Sequence, residues 1–261
     1  MKMTADNIYR YIDKIAPFSI QDSFDNSGFL VGDRSREVKK AAVCLDITND
    51  IVEECHSKGA DLIISHHPVI FTKIRSLDSR SPVYRMISYN IAAICAHTNF
   101  DMVRGGISDI MYRLLGFGDP ENAPVLDLIH RDSGVGYGRI ADLSEETTAD
   151  KLAELSKKAF NCKGVKYCDG GKPIKRVAVS SGAGNDFVYT CINNNIDALI
   201  SGDIKHHGFV DARNSGVTVI DAGHYATENI LCEMLLGKLK EEFPDIEFFI
   251  PEANGEICRY I

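Results

Sequence analysis

"KKAAVCLDITNDIVEECHSKGADLIIS", residues 39–65, decides the fold, because the chain repeats its pattern later. It lies without a gap over "KRVAVSSGAGNDFVYTCINNNIDALIS", residues 175–201. Val43 falls on Val179, Asn49-Asp50 on Asn185-Asp186, Cys55 on Cys191, Asp61 on Asp197 and Ile64-Ser65 on Ile200-Ser201. Each copy reads strand, loop, helix, strand. "AAVCL" and "VAVSS" are short β-rich runs, and the Asn-Asp pair after each can cap a helix. Ile51, Val52 and Cys55 recur at helical spacing, as do Phe187, Val188 and Cys191. Lys58-Gly59 or Asn193-Asn194 ends the helix. A second buried run, "LIIS" or "ALIS", follows.

Outward from the repeat, more strand–helix units are expected. "VYRMISYN" reads as a helix, "IAAICAH" as a strand and "GGISDIMYRLLGF" as an amphipathic helix. In the second half "GVTVIDAGH" reads as a strand and "ATENILCEMLLGKLKEEF" as one long helix. Between the copies, "VLDLIHRDSGVGYGRIADL" reads as a hairpin or edge strands, "TADKLAELSKKAF" as a helix and "GVKYCD" as a further strand. Strands alternating with helices imply an α/β fold of mostly parallel sheets with flanking helices. The expectation is two similar, interlinked α/β lobes related by an internal repeat. The Gly- and Pro-rich "GFGDPENAP" places their boundary so that residues 1–120 and 121–261 form the lobes.

Composition narrows the function classes. The 261 residues suffice for a sizeable core. The net charge of −8 argues against nucleic acid as a partner, since no Lys/Arg surplus exists to displace counterions. No apolar run reaches the length of a membrane span. "MKMTADNIYRYIDKIAP" lacks the apolar core of a signal peptide. The eight cysteines form no C-x-x-C pair, and Cys44, Cys95 and Cys191 sit in apolar runs. A reducing, cytoplasmic location is expected.

The eight histidines are not scattered. His66 and His67 end "LIIS", His97 ends "IAAICA", His206 and His207 follow "LISGD", and His224 follows "VTVIDAG". These are strand C-termini, the edge at which open α/β sheets bind ligands. Where a strand ends the chain can turn, so two adjacent imidazoles can address one cavity and different ions. Asp101 lies four residues after His97 and Glu228 four after His224, a spacing that shares a face on a helical turn. Taken singly, such residues are more often caps or hydrogen-bonded surface groups; their conjunction points to a mixed His/carboxylate metal site. His56 and His130 are read as structural.

"SHHPVIF", "AHTNFD", "SGDIKHH" and "DAGHYATE", in this order, resemble the Nif-three-like family, also known as dinuclear metal centre proteins and GTP cyclohydrolase I type 2 homologues. "SFDNSGFLVG" resembles the family's opening motif, with Phe24 where tryptophan is common and Phe100 where leucine is usual. The resemblance implies that His66, His67, Asp101, His224 and Glu228 bind two divalent metal ions, in two similar lobes, within a ring-shaped homohexamer. Asp203, His206 and His207 would line the cavity or support the ligands.

Ligands without thiolate suit Zn²⁺, Fe²⁺ or Mn²⁺. Two ions about 3.5–4 Å apart can share a water and bring its pKa towards 7. The expected function is therefore a metal-dependent hydrolase in which a metal-bridged hydroxide attacks a small-molecule substrate: a nucleotide, a cyclic amide or a phosphoester. His97 is read as a general acid or base, or as a group that positions substrate. Asp46, Asp203 and Asp221 stand at strand ends and are candidate acceptors for the second ring nitrogens; each could equally be a cap or turn carboxylate. "SSGAGND" reads as an anion cradle or, more simply, a tight turn. The alternatives are a non-catalytic metal carrier or insertion factor, or a ring-shaped regulatory interaction module.

Overall fold

Ala41 to Cys44 is buried at every position, so this run can serve only as an inner strand covered on both faces. The computed structural model describes residues 2–259 and places it there. Helix α1 (Ala5–Ile15) and strand β1 (Gly28–Val31) precede it. The first copy of the repeat is β2 (Lys40–Cys44), α2 (Asn49–Ser57), β3 (Leu62–Ser65), α3 (Pro82–Ser88), β4 (Ala92–Cys95) and the single-turn helix α4 (Thr98–Met102). Helix α5 (Ile107–Leu114), the hairpin β5 (Val125–His130) and β6 (Val135–Thr147), α6 (Ala149–Ala159) and β7 (Lys166–Cys168) follow. The second copy is β8 (Ile174–Ala183), α7 (Asn185–Asn193), β9 (Ala198–Gly202), α8 (His206–Asn214), β10 (Thr218–Asp221) and α9 (His224–Glu228). Helix α10 (Ile230–Glu242) and β11 (Glu247–Phe249) complete the chain.

Two compact units result. Among the described residues, one comprises those up to Phe100 together with Leu231–Ile257, and the other comprises Asp101–Ile230 with Cys258 and Arg259. The first holds a five-stranded sheet in the order β1-β4-β3-β2-β11, parallel except where β1 pairs with β4. The second holds a six-stranded sheet in the order β5-β6-β8-β9-β10-β7. Here only β8, β9 and β10 run parallel; the hairpin and β7 add antiparallel edges. The long helix expected after Gly223 is two pieces: Asn229 closes α9 through its N–H to Tyr225 O, and α10 starts at the next residue.

The repeat extends to the register. Ala41 pairs with Leu62 and Val43 with Ile64; at the matching places Val177 pairs with Ala198 and Val179 with Ile200. Gly59 and Asn195 both take the left-handed conformation at the helix exit, at φ 70° and 53°. One carboxylate oxygen of Asp61 accepts the N–H groups of Lys39 and Lys40, at 2.9 and 3.3 Å, and Asp197 clasps Lys175 and Arg176 at 3.0 and 2.8 Å. Cys55 and Cys191 face their cores, and burial pushes both thiols up to about 12. Because a charge-assisted clasp replaces solvation of two backbone donors, Asp61→Ala and Asp197→Ala are each expected to cost about 1–3 kcal/mol, read as a lowered urea midpoint. An unchanged midpoint in both would deny the clasp any energetic role.

Candidate metal centre

In the first unit three imidazoles gather beyond the ends of β3 and β4. After Ser65 the backbone N–H groups of His66 and His67 still donate to Cys44 O and Leu45 O, at 3.1 and 2.9 Å, while Ser65 Oγ turns back to His67 O. The strand thus ends in a tight hook that presents both rings. His66 Nδ1 lies 2.9 Å from Ala96 O, and a carbonyl only accepts, so Nδ1 carries the proton and the lone pair sits at Nε2. His67 Nδ1 meets Asp46 Oδ1 at 2.7 Å, and His97 Nδ1 meets Asp25 Oδ1 at 2.8 Å. The ring centroids of His66, His67 and His97 are 5.1–5.5 Å apart, and each offers a ring nitrogen within 4.8 Å of the others. Three rings anchored through Nδ1 leave Nε2 as the donor atom, the arrangement that fits metal-ligating histidine.

Asp25 is the residue that sequence reasoning left without a role. Its side chain is fully buried, and it also accepts from Ser27 Oγ, Thr98 Oγ1 and Thr98 N. Burial would raise its pKa, but hydrogen bonds from His97, Thr98 and Ser27, together with the His97 charge, hold the carboxyl well below the usual range. A depressed folded-state pKa stabilises the fold above the unfolded value of about 4, and that contribution fades as the pH falls through the folded value. Asp25→Asn is therefore expected to lower stability at neutral pH and to flatten its acid limb, measured by urea unfolding from pH 7 down to pH 3. Equal acid limbs would show that Asp25 is not the group responsible. Only the pairing of Gly28 with Cys95 reveals this partnership, since it sets the segment before β1 beside the one after β4.

In the second unit a histidine and two carboxylates come together. Gly223, at φ 88°, turns the chain out of β10 into α9, whose first and last residues are His224 and Glu228. His224 Nδ1 meets Asp203 Oδ2 at 2.8 Å, and Nε2 faces Glu228 Oε2 at 2.9 Å. With Nδ1 donating to Asp203, both facing atoms are acceptors, and they need a proton or a metal ion between them. Asp101 accepts from Ser181 Oγ at 2.7 Å and presents an oxygen within 4.8 Å of a Glu228 oxygen. Asp101 and Glu228 are 6% and 3% exposed, and buried carboxylates this close need a cation or a shared proton between them.

Of the expected supports, Asp46 and Asp203 do accept from ligand-type rings. Asp221 instead accepts the N–H groups of Ile204 and Gly223 and pairs with Lys166 Nζ at 2.9 Å, so it orders the turn. His206 and His207 are exposed at the start of α8 and join no metal-competent group among the described residues. His56 stacks on Tyr89. "SSGAGND" is the end of β8, the single residue Gly184 and the start of α7; Gly184 N donates to Gly202 O, and Asn185 Oδ1 accepts from Lys205 N. The repeat also shows how the units diverged. Asp46, His66 and His97 stand where the second copy has Gly182, Gly202 and Gly223. A Cβ at Gly202 would meet Gly182 O and His224 N at 2.7 Å, so side chains in one copy are replaced by close backbone packing in the other.

Fold and donors together define a repeat-built α/β protein carrying His, Glu and Asp clusters that can hold a metal ion. The chain belongs to the Duf34/NIF3 (NGG1p interacting factor 3) family, whose profile matches residues 3–255. It is 32% identical to the GTP cyclohydrolase 1 type 2 homolog of Clostridium perfringens, over 99% of this chain and 100% of that one. It is 26% identical to NGG1-interacting factor 3 of Saccharomyces cerevisiae, over 91% of each. The crystal structure of a Staphylococcus aureus hypothetical protein matches with a TM-score of 0.87 at 26% identity, covering 100% of both chains. No helix of the described residues is long and apolar enough to cross a membrane.

Proposed function

We propose that this chain is a metal-dependent hydrolase in which His66, His67, Asp101, His224 and Glu228 hold two divalent ions, Zn²⁺, Fe²⁺ or Mn²⁺. The observation that carries this reading is the set of anchored rings: His66, His67 and His224 each give Nδ1 to a protein acceptor, and Glu228 faces His224 Nε2 across 2.9 Å. Bound ions would supply Lewis-acid polarisation of a carbonyl or phosphoryl oxygen and a water that ionises near neutral pH.

The chain's own groups do the rest. Asp46 and Asp203 orient His67 and His224 and keep their tautomers. Ser181 fixes one Asp101 oxygen, leaving the other for a cation. His97, its Nδ1 proton held by Asp25, can take a proton at Nε2 and return it to a leaving group; the buried Asp25 carboxylate stabilises the imidazolium formed in between. The substrate class proposed is a nucleotide, cyclic amide or phosphoester, in keeping with the name of the Clostridium perfringens relative. The assembly proposed is a homohexamer, checked by sedimentation against the chain mass of 28.8 kDa.

The test begins with elemental analysis of untagged protein, with two ions per chain expected. His67→Ala and Glu228→Ala should lose metal while circular dichroism stays unchanged. Retention of both ions by both variants would refute the ligand set. Hydrolysis of a nucleotide or phosphoester panel should vanish with EDTA and return with one of the three metals.

A further inference from the structure

Two phenyl rings beside the imidazole cluster are displayed rather than buried. Phe24 is 61% exposed and Phe71 51% exposed, in a chain whose other large apolar groups mostly line the cores. Their centroids are 6.4 Å apart at 52°, and Phe71 stands edge-on to His97 at 6.3 Å. The rings sit on two loops that are tied down. Asn26 Nδ2 donates to Ile70 O at 2.6 Å, locking the residue before Phe71 to the segment carrying Phe24, and the neighbouring Asp25 holds His97. Each phenyl is thus fixed within one or two residues of a buried or bonded anchor, so the open angle between them does not result from slack chain.

The loop from Pro68 to Ser81 has no regular secondary structure, a length at which ordered loops usually serve a function. In a chain of net charge −8 it carries Lys73, Arg75 and Arg80 against one Asp78. Arg80 pairs with Asp78, which leaves Lys73 and Arg75 as the uncompensated charges of the loop. Adjoining apolar rings exposed to water beside a polar cluster point to a recognition surface. Flat apolar faces next to cations select a flat ring with a negative substituent.

We propose that Phe24 and Phe71 form a stacking platform that holds a planar heterocycle beside His97, while Lys73 and Arg75 receive an anionic group on the same molecule. The occupant is a small molecule, a nucleoside monophosphate in chemical type, and not a second copy of the chain. This deepens the hydrolase reading and rests on it for the use of the bound molecule, while binding itself can be measured without metal.

The chain contains no tryptophan, so Phe24→Trp installs a single fluorescent reporter in the platform. The probes are guanosine 5′-monophosphate, guanosine and ribose 5-phosphate, titrated against EDTA-treated and metal-loaded Phe24→Trp protein. Saturable quenching by the first two but not by ribose 5-phosphate is expected in both forms. Adding Phe71→Ala should weaken binding about 5- to 150-fold, the span for losing one base–aromatic stack. Lys73→Gln with Arg75→Gln should weaken the monophosphate and spare guanosine. Absence of saturable quenching by any probe, or equal quenching by ribose 5-phosphate, overturns the platform. So does dissociation of the assembly by Phe71→Ala, which would assign these rings to a contact between copies. Elemental analysis of the metal-loaded samples keeps the two readings apart: quenching by protein that takes up no metal on loading sinks only the hydrolase reading, and bound metal without quenching sinks only the platform.

Discussion

Arg139→Ala is expected to cost about 3–5 kcal/mol of stability, the largest loss of any single substitution considered for this chain. Arg139 is fully buried in β6. Its Nε meets the Asp109 carboxylate, Nη1 donates to Gly136 O and Gly138 O, and Nη2 reaches Met102 O and Val103 O at 3.4 and 3.2 Å. The other Asp109 oxygen accepts from Gly105 N at 2.6 Å. Truncation therefore strands a buried anion and several carbonyls at once. Urea unfolding reads the loss, and a cost below about 1 kcal/mol would contradict this account. The combined change Arg139→Met with Asp109→Leu should recover much of the stability, because it removes both charges. It should not restore the turn that follows Asp101, since Met102 O and Val103 O lose their donor. Metal affinity should therefore remain reduced in the stable double variant, and wild-type affinity there would show that the pair only stabilises the fold.

Gly182→Ala should weaken metal binding about 10- to 100-fold without replacing any proposed ligand. Gly182 sits at φ 62°, a conformation that L side chains adopt at a cost, and a Cβ there would lie 2.1 Å from Glu228 Oε1. The backbone is held by Gly182 N donating to Thr227 Oγ1 at 3.0 Å. Glu228 has the mobile end, so its carboxylate is what moves. The fold should lose only about 1–2 kcal/mol, the scale of one strained left-handed residue. Titration with Zn²⁺ or Mn²⁺ alongside thermal unfolding separates the two effects. Undiminished metal affinity in a folded Gly182→Ala protein would remove Glu228 from the proposed ligand set.

The strand ends and their histidines were legible because local pattern encodes them. A run such as "LIIS" can be covered only as an inner strand, and the residue where its apolar character stops is where the chain turns. His66, His67, His97 and His224 follow from that reasoning, whereas among Asp46, Asp203 and Asp221 the sequence could not separate ring acceptor from turn carboxylate; the structure puts Asp46 on His67 and Asp203 on His224. Asp25 escaped it: a turn carboxylate in "SFDNSG" resembles any cap, and its tie to His97 exists only through the antiparallel pairing of β1 with β4. The break between α9 and α10 escaped it too, since the apolar spacing runs on through Asn229.

By itself the sequence determined the α/β class, the duplicated strand–helix–strand unit, and the donor types at the strand ends. These are written in short-range periodicity and in a constant offset between two segments. The tertiary structure decided the rest: that β11 pairs with β2, that Arg139 secures the turn after Asp101, and that backbone packs so closely around Gly202 that no side chain fits there. Such facts depend on which distant segments share a hydrogen-bond ladder or a buried charge, and no local pattern carries that information.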